Sequence, residues 1–246
     1  MAGKVALITG ASHGIGSQLA RHLASKGYEL IAVARRKNLL EQLAERLFVD
    51  YQAVVRVVPI DLTDFQQAEQ ALTQHLNSLG RIDLLVNAAG AFAFGGSGLE
   101  STDFLDMLSI NVVAVHNVCR ICKQFLASAN APRIFNIASV AGVEGYARLG
   151  AYAATKFALV GYGQSLAKEL VSDNIKVTTI CPDIVDTGMG AQFRLPRESL
   201  IPVEDIVAAM DFVLSLSPKT IVEQLILRRT AAAQGSALFE MMLGTN

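Results

Sequence analysis

The sequence has 246 residues, a formal net charge of -1 and 52% hydrophobic residues, and only 17% of its residues are charged. This composition is typical of a folded chain, and one domain of about 250 residues can bury a large core. No block of like charges appears, which argues against a nucleic-acid groove or a polybasic membrane patch. We therefore expect one domain spanning residues 1–246 and no nucleic-acid partner.

The chain also lacks the usual signs of insertion into a membrane or export. No uninterrupted apolar run reaches the roughly 18 residues of a membrane span, and the first apolar run stops at Gly10, which is too early for a signal peptide. Cys119 and Cys122 form a CxxC pattern without a second pair, and three cysteines in total argue against a disulfide framework. We expect buried helix cysteines, no metal site and a reducing, cytoplasmic location.

Short apolar runs alternate with longer amphipathic stretches. Strands are predicted at 4–9, 28–34, 53–61, 82–89, 133–140, 175–183 and 221–228, and helices at 14–27, 37–50, 64–80, 103–128, 151–173 and 202–216. This alternation predicts an α/β fold: a doubly wound, Rossmann-type three-layer sandwich around a seven-stranded, mostly parallel sheet. Ligands of such sheets bind beyond the carboxyl ends of the strands, so functional residues are expected just after each strand.

The first predicted strand ends in TGASHGIG, residues 9–16. Glycines permit a tight turn and close approach of a phosphate, and the helix that begins here points free N–H groups at it. The spacing is Gly-x3-Gly-x-Gly, and a plain βα turn remains the alternative. As a phosphate cradle the turn would bind a dinucleotide through Gly10, Ser12, His13, Gly14 and Ile15.

The second predicted strand ends in Ala34, Arg35 and Arg36, without the acidic residue that usually binds the ribose of NAD. An arginine here can bind the 2′-phosphate of NADP by a charge-assisted contact. The pattern therefore predicts NADP(H), held by Arg35, with Arg36 and His13 as weaker candidates. The alternatives are a solvated basic start of the next helix and, for His13, a solvent-facing loop residue.

Tyr152 and Lys156 stand four residues apart in a predicted helix. Residues at this spacing share one helix face. A lysine ammonium beside a tyrosine stabilises the tyrosinate, so we expect Lys156 to lower the pKa of Tyr152 toward a value useful for proton transfer. Taken alone, the pair could equally be two ordinary helix residues.

Together these motifs resemble the short-chain dehydrogenase/reductase family, in its compact NADP-preferring branch, over essentially the whole chain. TGASHGIG is similar to the cofactor turn of the family, and Tyr152 and Lys156 to its YxxxK, with Ser139 thirteen residues earlier. The remaining matches are Asp61-Leu62, Asn87-Ala88-Ala89-Gly90, Asn111 and PDIVDT at Pro182–Thr187.

The resemblance implies an oxidoreductase that transfers a hydride between NADP(H) and a carbonyl or secondary alcohol, with Tyr152 as general acid/base. Ser139 would bind the substrate oxygen, Lys156 the cofactor ribose, and Asn111 a water that links Lys156 to solvent. Further cofactor contacts are implied for Asp61, Leu62, Asn87, Ala88, Gly90, Pro182, Val185 and Thr187.

Three features of the chain bear on the substrate. Asp183 stands where the family commonly has glycine; it would tolerate a positive φ, and its carboxylate could disfavour an anionic substrate. No basic cluster marks a carrier-protein or CoA substrate. Residues 188–200 are expected to form a flap over the substrate, and an apolar pocket is expected from Phe92, Phe94, Val140, Tyr146, Met189 and Phe193.

Alternatives remain for the function. The chain could be a 3-oxoacyl reductase acting on a carrier-protein or CoA thioester, or a non-catalytic regulatory protein that binds a dinucleotide. Family members are usually dimers or tetramers, so we expect a homo-oligomer, with residues 231–246 as a C-terminal tail that covers a partner or the site.

Overall fold

The computed structural model describes residues 3–230, in which seven strands form one sheet. The strands are β1 Val5–Thr9, β2 Glu29–Ala34, β3 Val55–Pro59, β4 Leu84–Asn87, β5 Arg133–Ile137, β6 Lys176–Pro182 and β7 Gln224–Leu227. Their order is β3-β2-β1-β4-β5-β6-β7, and every neighbouring pair is parallel. The predicted α/β class and seven strands are confirmed, in a sheet that is parallel throughout. The predicted tail, 231–246, lies outside the described residues.

Helices cover both faces of the sheet. They are α1 Gly14–Ser25, α2 Lys37–Tyr51, α3 Phe65–Leu79, α4 Ser101–Leu108, α5 Ala114–Ala127, α6 Gly150–Glu169 and α7 Val203–Ser215. The segment Ser109–Val113 between α4 and α5 is π-helical. The single long helix predicted at 103–128 is therefore one helix with a π segment, a feature that often marks functional sites.

The alternation of side chains along the strands divides the core into two layers. Val5 and Leu7 of β1 pack with buried residues of α3, α5 and α6, whereas Ala6 and Ile8 pack with α1, α2 and α7. Because successive side chains of a strand point to opposite faces, one apolar run serves both layers. The predicted three-layer sandwich is confirmed.

Local signals set the ends of the helices. At α3 the carboxylate of Asp64 accepts the N–H of Gln67 at 3.0 Å, which satisfies one of the free donors of the first turn. The helix ends at Gly80, whose φ of 74° is the left-handed conformation that glycine adopts without steric cost.

The topology fixes where a ligand can bind. From β1 the chain moves outward to β2 and β3, then returns to place β4 on the other side of β1. The loops after β1 and β4 therefore diverge at the carboxyl edge of the sheet. Such a switch point is where open α/β sheets form a binding crevice.

One helix of the described range, Ser101–Ala127, is long and apolar enough to cross a bilayer by length and composition alone. Within its most apolar window 44% is buried inside the protein, and α5 contributes many side chains to the core. Core helices of globular proteins meet the same criteria, so the helix is weak evidence for a membrane segment.

Candidate functional site

Tyr152 and Lys156 lie on the face of α6 that packs against the carboxyl ends of β5 and β6, and both are almost fully buried, at 7% and 5% exposure. The Lys156 Nζ donates to the carbonyl of Ile137 at 3.1 Å and lies 5.7 Å from the centre of the Tyr152 ring. The expected shared helix face is therefore present, with the ammonium held by the end of β5.

Ser139 follows β5 and caps a short 3-10 turn, Val140–Gly142. Its hydroxyl oxygen accepts the N–H of Ala141 at 3.1 Å, and the hydroxyl lies near enough to Tyr152 to lower the pKa of the tyrosine. Because the oxygen is occupied as an acceptor by the backbone, the hydroxyl proton is free to be donated. The strand end thus brings Ser139 to Tyr152 across thirteen residues of sequence.

Burial controls the ionisation of both α6 side chains. It raises the pKa of Tyr152 to about 12, against a smaller lowering by the Ser139 hydrogen bond, and lowers the pKa of Lys156 to about 8. In each case burial disfavours the charged form. The expected lowering of the Tyr152 pKa is therefore wrong: desolvation raises the pKa, and Tyr152 keeps its proton at neutral pH.

Asn111 lies in the π segment and is fully buried. Its Oδ1 accepts the N–H of Ala91 at 2.8 Å, and its Nδ2 donates to the Ala91 carbonyl and to the Thr155 hydroxyl, each at 3.0 Å. The side chain therefore fastens the loop after β4 to α6. The water that Asn111 was expected to hold stays a prediction, and the amide donors are already used by protein groups.

The glycine turn after β1 has the backbone that the sequence predicts. Gly10 and Gly14 have φ values of 68° and 57°, which favour glycine. A Cβ on Gly10 would lie 2.7 Å from the Ala88 carbonyl oxygen, so the turn packs directly on the loop after β4. Ser12 and His13 lie between these glycines, and Ile15 is part of the pocket wall, at the start of α1.

Basic side chains gather at the end of β2. The Arg36 guanidinium donates to the Ser12 hydroxyl at 3.2 Å, and Arg35, which is 78% exposed, lies 3.7 Å from a carboxylate oxygen of Asp61. Burial and then the charges of Arg36 and Arg35 lower the pKa of His13, so the imidazole is neutral at pH 7. The two arginines therefore supply the positive charge here.

The pair Asp61-Leu62 follows β3, and its two side chains have different surroundings. Burial raises the pKa of Asp61, but hydrogen bonds from Thr63 and the charge of Arg35 outweigh it, and the pKa is lowered overall. Leu62 is 5% exposed and belongs to the hydrophobic core. The implied adenine contact of Leu62 would therefore involve its backbone.

Asn87 supports the sheet. It is 1% exposed, and its Nδ2 donates to Asn136 Oδ1 on the neighbouring strand at 2.9 Å. The pocket wall begins one residue later, with Ala88, Ala89 and Gly90. The family resemblance implied cofactor contacts for Asn87, Ala88 and Gly90. Ala88 and Gly90 line the pocket, whereas Asn87 does not.

A cavity of about 320 Å³ lies at the carboxyl edge of the sheet. Ser139, Tyr152 and Lys156 line it together with Phe92, Val140, Tyr146, Met189 and Phe193. The Phe193 ring, from the predicted flap, lies 5.1 Å from Phe92 and 5.0 Å from Phe94. Five of the six predicted apolar residues therefore line the pocket, and Phe94 packs behind them.

Pro182, Val185 and Thr187 also line the cavity, at and after the end of β6. Asp183 lies between them, and its φ is not positive. Its carboxylate is 7% exposed and is paired at 3.2 Å with the Nε of Arg229. The expected effect of this carboxylate on anionic substrates stays a prediction.

Two arginines after β7 were missed by the sequence reasoning. Arg228 and Arg229 both line the cavity, and Arg228 donates to Glu144 at 2.9 Å and to the Tyr146 hydroxyl at 3.3 Å. The sequence shows no basic cluster that would mark a carrier-protein or CoA substrate; the two arginines found here are each paired with a carboxylate. The signal was available, since both arginines directly follow a strand, where functional residues of this fold are expected.

The three cysteines are free and buried. Burial raises the pKa of Cys119 to about 12, so it stays a thiol, and it packs in the core beside Cys122. Within residues 3–230 no three His, Cys, Asp or Glu side chains are grouped to hold a metal ion. The CxxC pattern therefore behaves as buried helix packing.

The sequence is similar to known proteins over most of its length. The short chain dehydrogenase family model matches residues 4–198. An uncharacterized oxidoreductase of Staphylococcus epidermidis is 30% identical over 228 residues, covering 92% of this chain and 96% of the relative.

Two solved structures are similar over nearly their full lengths. An alcohol dehydrogenase from the archaeon Thermococcus sibiricus, complexed with 5-hydroxy-NADP, is 28% identical with a TM-score of 0.85, covering 92% of this chain and 97% of that one. A betaketoacyl-ACP reductase from Bacteroides thetaiotaomicron is 32% identical with a TM-score of 0.81, covering 94% and 99%. The chain therefore belongs to the short-chain dehydrogenase family of oxidoreductases.

Proposed function

We propose that the protein transfers a hydride between NADP(H) and a carbonyl or secondary alcohol, with Tyr152 as the proton donor and acceptor. The observation that carries the proposal is the grouping of Ser139, Tyr152 and Lys156 in the wall of one apolar cavity. A confined tyrosine that keeps its proton at neutral pH suits an acid that protonates a carbonyl oxygen.

The residues at the switch point fit NADP(H). The glycine turn at Gly10 and Gly14 and the free N–H groups at the start of α1 would hold the pyrophosphate. Arg35 and Arg36 would hold the 2′-phosphate, because no acidic side chain stands at the end of β2 to prefer a ribose hydroxyl. The NADP analogue bound by the Thermococcus alcohol dehydrogenase supports this choice.

When bound, NADPH supplies the hydride for the substrate carbon. Ser139 donates a hydrogen bond to the substrate oxygen and stabilises the negative charge that develops there. Tyr152 gives its proton to the same oxygen. Lys156, charged below about pH 8, favours the tyrosinate that results and binds the cofactor ribose.

Asn111 is a positioning residue in this proposal, since it fixes the loop of Gly90 and Ala91 against α6. Asp61, Ala88, Pro182, Val185 and Thr187 complete the cofactor contacts that we propose. Residues 188–200 form the flap over the substrate, which the ring contacts of Phe193 support.

A second candidate function is the reduction of a 3-oxoacyl thioester. The similarity to the betaketoacyl-ACP reductase favours it. A regulatory dinucleotide-binding protein without activity is the alternative of another class. It is disfavoured because Asn111, Ser139, Tyr152 and Lys156 are all present and grouped.

The direct experiment is a titration with NADPH and NADH, followed by turnover of a panel of ketones, aldehydes and 3-oxoacyl thioesters. The proposal expects tighter binding of NADPH and reduction of at least one small carbonyl compound. Tight binding of NADPH without turnover of any panel member would favour the regulatory protein, and a preference for NADH would contradict the role of Arg35.

We further propose a cytoplasmic homodimer or homotetramer. The outer faces of α4, the π segment and α6 expose large apolar side chains, namely Leu105, Val113 and Phe157 at 60%, 42% and 46% exposure. Exposed apolar surface of this kind marks contact with another protein. The free cysteines suit a reducing compartment.

A further inference from the structure

Arg229 is an unusual component of the cavity wall. It follows β7 directly, its side chain is 5% exposed, and it lines the same cavity as Ser139 and Tyr152. Its Nε and Nη1 have no hydrogen-bond partner within the described part of the chain. Arginine donors buried without acceptors are rare, and each one is an explicit question about what it binds.

Asp183 does not satisfy these donors. Its Oδ2 lies 3.2 Å from the Arg229 Nε, which makes an ion pair, but the Nε–H is not directed at the oxygen. The Asp183 carboxylate is engaged by backbone groups instead: Oδ1 accepts the N–H of Ile184 at 2.8 Å, and Oδ2 accepts that of Arg229 at 3.3 Å. The charge of the Arg229 guanidinium is therefore balanced by Asp183, but its Nε and Nη1 donors still lack an acceptor within the described residues.

The charges around Arg229 define the acceptor it suits. Arg229 is paired with Asp183, and Arg228 is paired with Glu144, so the two pairs cancel at this end of the cavity. A carboxylate on the substrate would have to share the Arg229 guanidinium with the buried Asp183 carboxylate, and like charges at close range repel. An uncharged oxygen beside the guanidinium, on the cavity side of Arg229, meets no such repulsion.

We propose that Arg229 is a specificity-determining residue that binds a second, uncharged oxygen of the substrate. This inference rests on the proposed carbonyl reduction and names its substrate class: ketones that carry another carbonyl or a hydroxyl group in addition to the reacting carbonyl. Ser139 and Tyr152 would bind the reacting oxygen, and Arg229 the second one. Sites built to hydrogen-bond a substrate group discriminate strongly against analogues that lack it.

The experiment compares three ketones of matched carbon skeleton with NADPH as reductant: an unsubstituted ketone, a diketone or hydroxyketone, and a keto acid. For the wild-type protein we expect kcat/KM for the second compound to exceed that of the unsubstituted ketone by about 10- to 100-fold, the range for a hydrogen bond to a charged group. The keto acid should show no comparable gain.

Variants assign the preference to Arg229. Removing only Arg229 would leave Asp183 buried without its counter-charge, so the informative variant is D183N/R229M, in which both charges are lost together. Its ratio between the second ketone and the unsubstituted one should fall to within about threefold of unity. In D183N alone the guanidinium is uncompensated, and the keto acid should gain relative to the other two. R120M is the matched control: Arg120 is paired with Glu69 and does not line the cavity, so this variant should keep the wild-type ratio.

The outcomes separate this inference from the proposed function. Equal kcat/KM for all three ketones in the wild-type protein, or an unchanged ratio in D183N/R229M, would overturn the role of Arg229 and leave the reductase intact. If NADPH reduces none of the three, nor any other carbonyl compound, the proposed function fails and this inference fails with it. The wild-type ratio decides even where a variant is unstable.

Discussion

At the scale of single residues, Tyr152 and Lys156 share a setting that disfavours both of their charges. Burial raises the pKa of Tyr152 to about 12 and lowers that of Lys156 to about 8. Near neutral pH the tyrosine is protonated and the lysine charged, which is the combination that carbonyl reduction requires. Oxidation of an alcohol starts from tyrosinate and is therefore expected to need higher pH.

The first prediction concerns the pH profile of reduction. Lys156 is protonated below about pH 8 and loses its charge as pH rises through this value. We therefore expect kcat/KM for reduction with NADPH to fall about tenfold per pH unit above pH 8, since this parameter reports groups of the free enzyme. In K156R, whose guanidinium stays charged to beyond pH 12, the falling limb near pH 8 should disappear. A wild-type profile that stays flat from pH 7 to 10 would contradict the assignment.

The residue scale also shows what a sequence cannot supply. The four-residue spacing of Tyr152 and Lys156 correctly predicts a shared helix face, but the direction of the tyrosine pKa depends on burial, which a spacing does not contain. Asp183 and Arg229 pair across 46 positions of sequence, and only the juxtaposition of the ends of β6 and β7 brings them together. The position of Arg229 just after a strand could be predicted from the sequence, but its pairing with Asp183 could not.

At the scale of the elements, the turn between β1 and α1 limits substitution through both its backbone conformation and its close packing. Gly10 and Gly27 both have positive φ, at 68° and 81°, but a Cβ on Gly10 would lie 2.7 Å from the Ala88 carbonyl oxygen, whereas one on Gly27 would meet nothing within 4 Å. Substitutions at Gly10 and Gly27 therefore distinguish the energetic cost of the backbone conformation from the cost of close packing.

We predict that G27A lowers the free energy of unfolding by about 1 kcal/mol, the cost of a left-handed backbone. G10A adds a clash with backbone atoms and should lower it by about 3 kcal/mol, with a matching loss of NADPH affinity. Denaturant unfolding of both variants measures the difference. Equal destabilisation by the two substitutions would contradict the tight contact of the two loops.

The junction of β2 and α2 is proposed to set the cofactor preference. In R35A we expect the Kd for NADPH to rise about 10- to 100-fold, because a charge-assisted contact with the 2′-phosphate is lost, while the Kd for NADH stays within about twofold. K37A is the matched control: Lys37 is the first residue of α2 and is paired with Glu41 at 3.6 Å. A parallel loss of affinity for both cofactors in R35A would argue against a phosphate contact.

The elements themselves were largely predictable, because buried parallel strands read as short apolar runs and their crossover helices as amphipathic ones. The π segment at Ser109–Val113 was not, since the sequence there continues a helical pattern without interruption. The extra residue in its turn matters for the site because Asn111 lies within it and ties the loop after β4 to α6.

At the scale of the whole molecule, the outer face of α6 is proposed to meet another subunit. F157E places a charge on this face, at a side chain that is 46% exposed, and should shift the assembly to a smaller species in analytical ultracentrifugation. F48E, at a phenylalanine on α2 that is 57% exposed, is the control and should leave the mass unchanged. A monomeric wild-type protein would contradict the proposed homo-oligomer.

Tyr152 is proposed as the acid of a reductase, and the variant Y152F tests this role. Y152F removes only the hydroxyl, so the cavity and the glycine turn stay in place. We expect kcat for carbonyl reduction to fall by about 100- to 10,000-fold, which is the usual contribution of a general acid. The Kd for NADPH should stay unchanged within about threefold. Turnover at the wild-type rate by Y152F, with NADPH bound normally, would contradict this role.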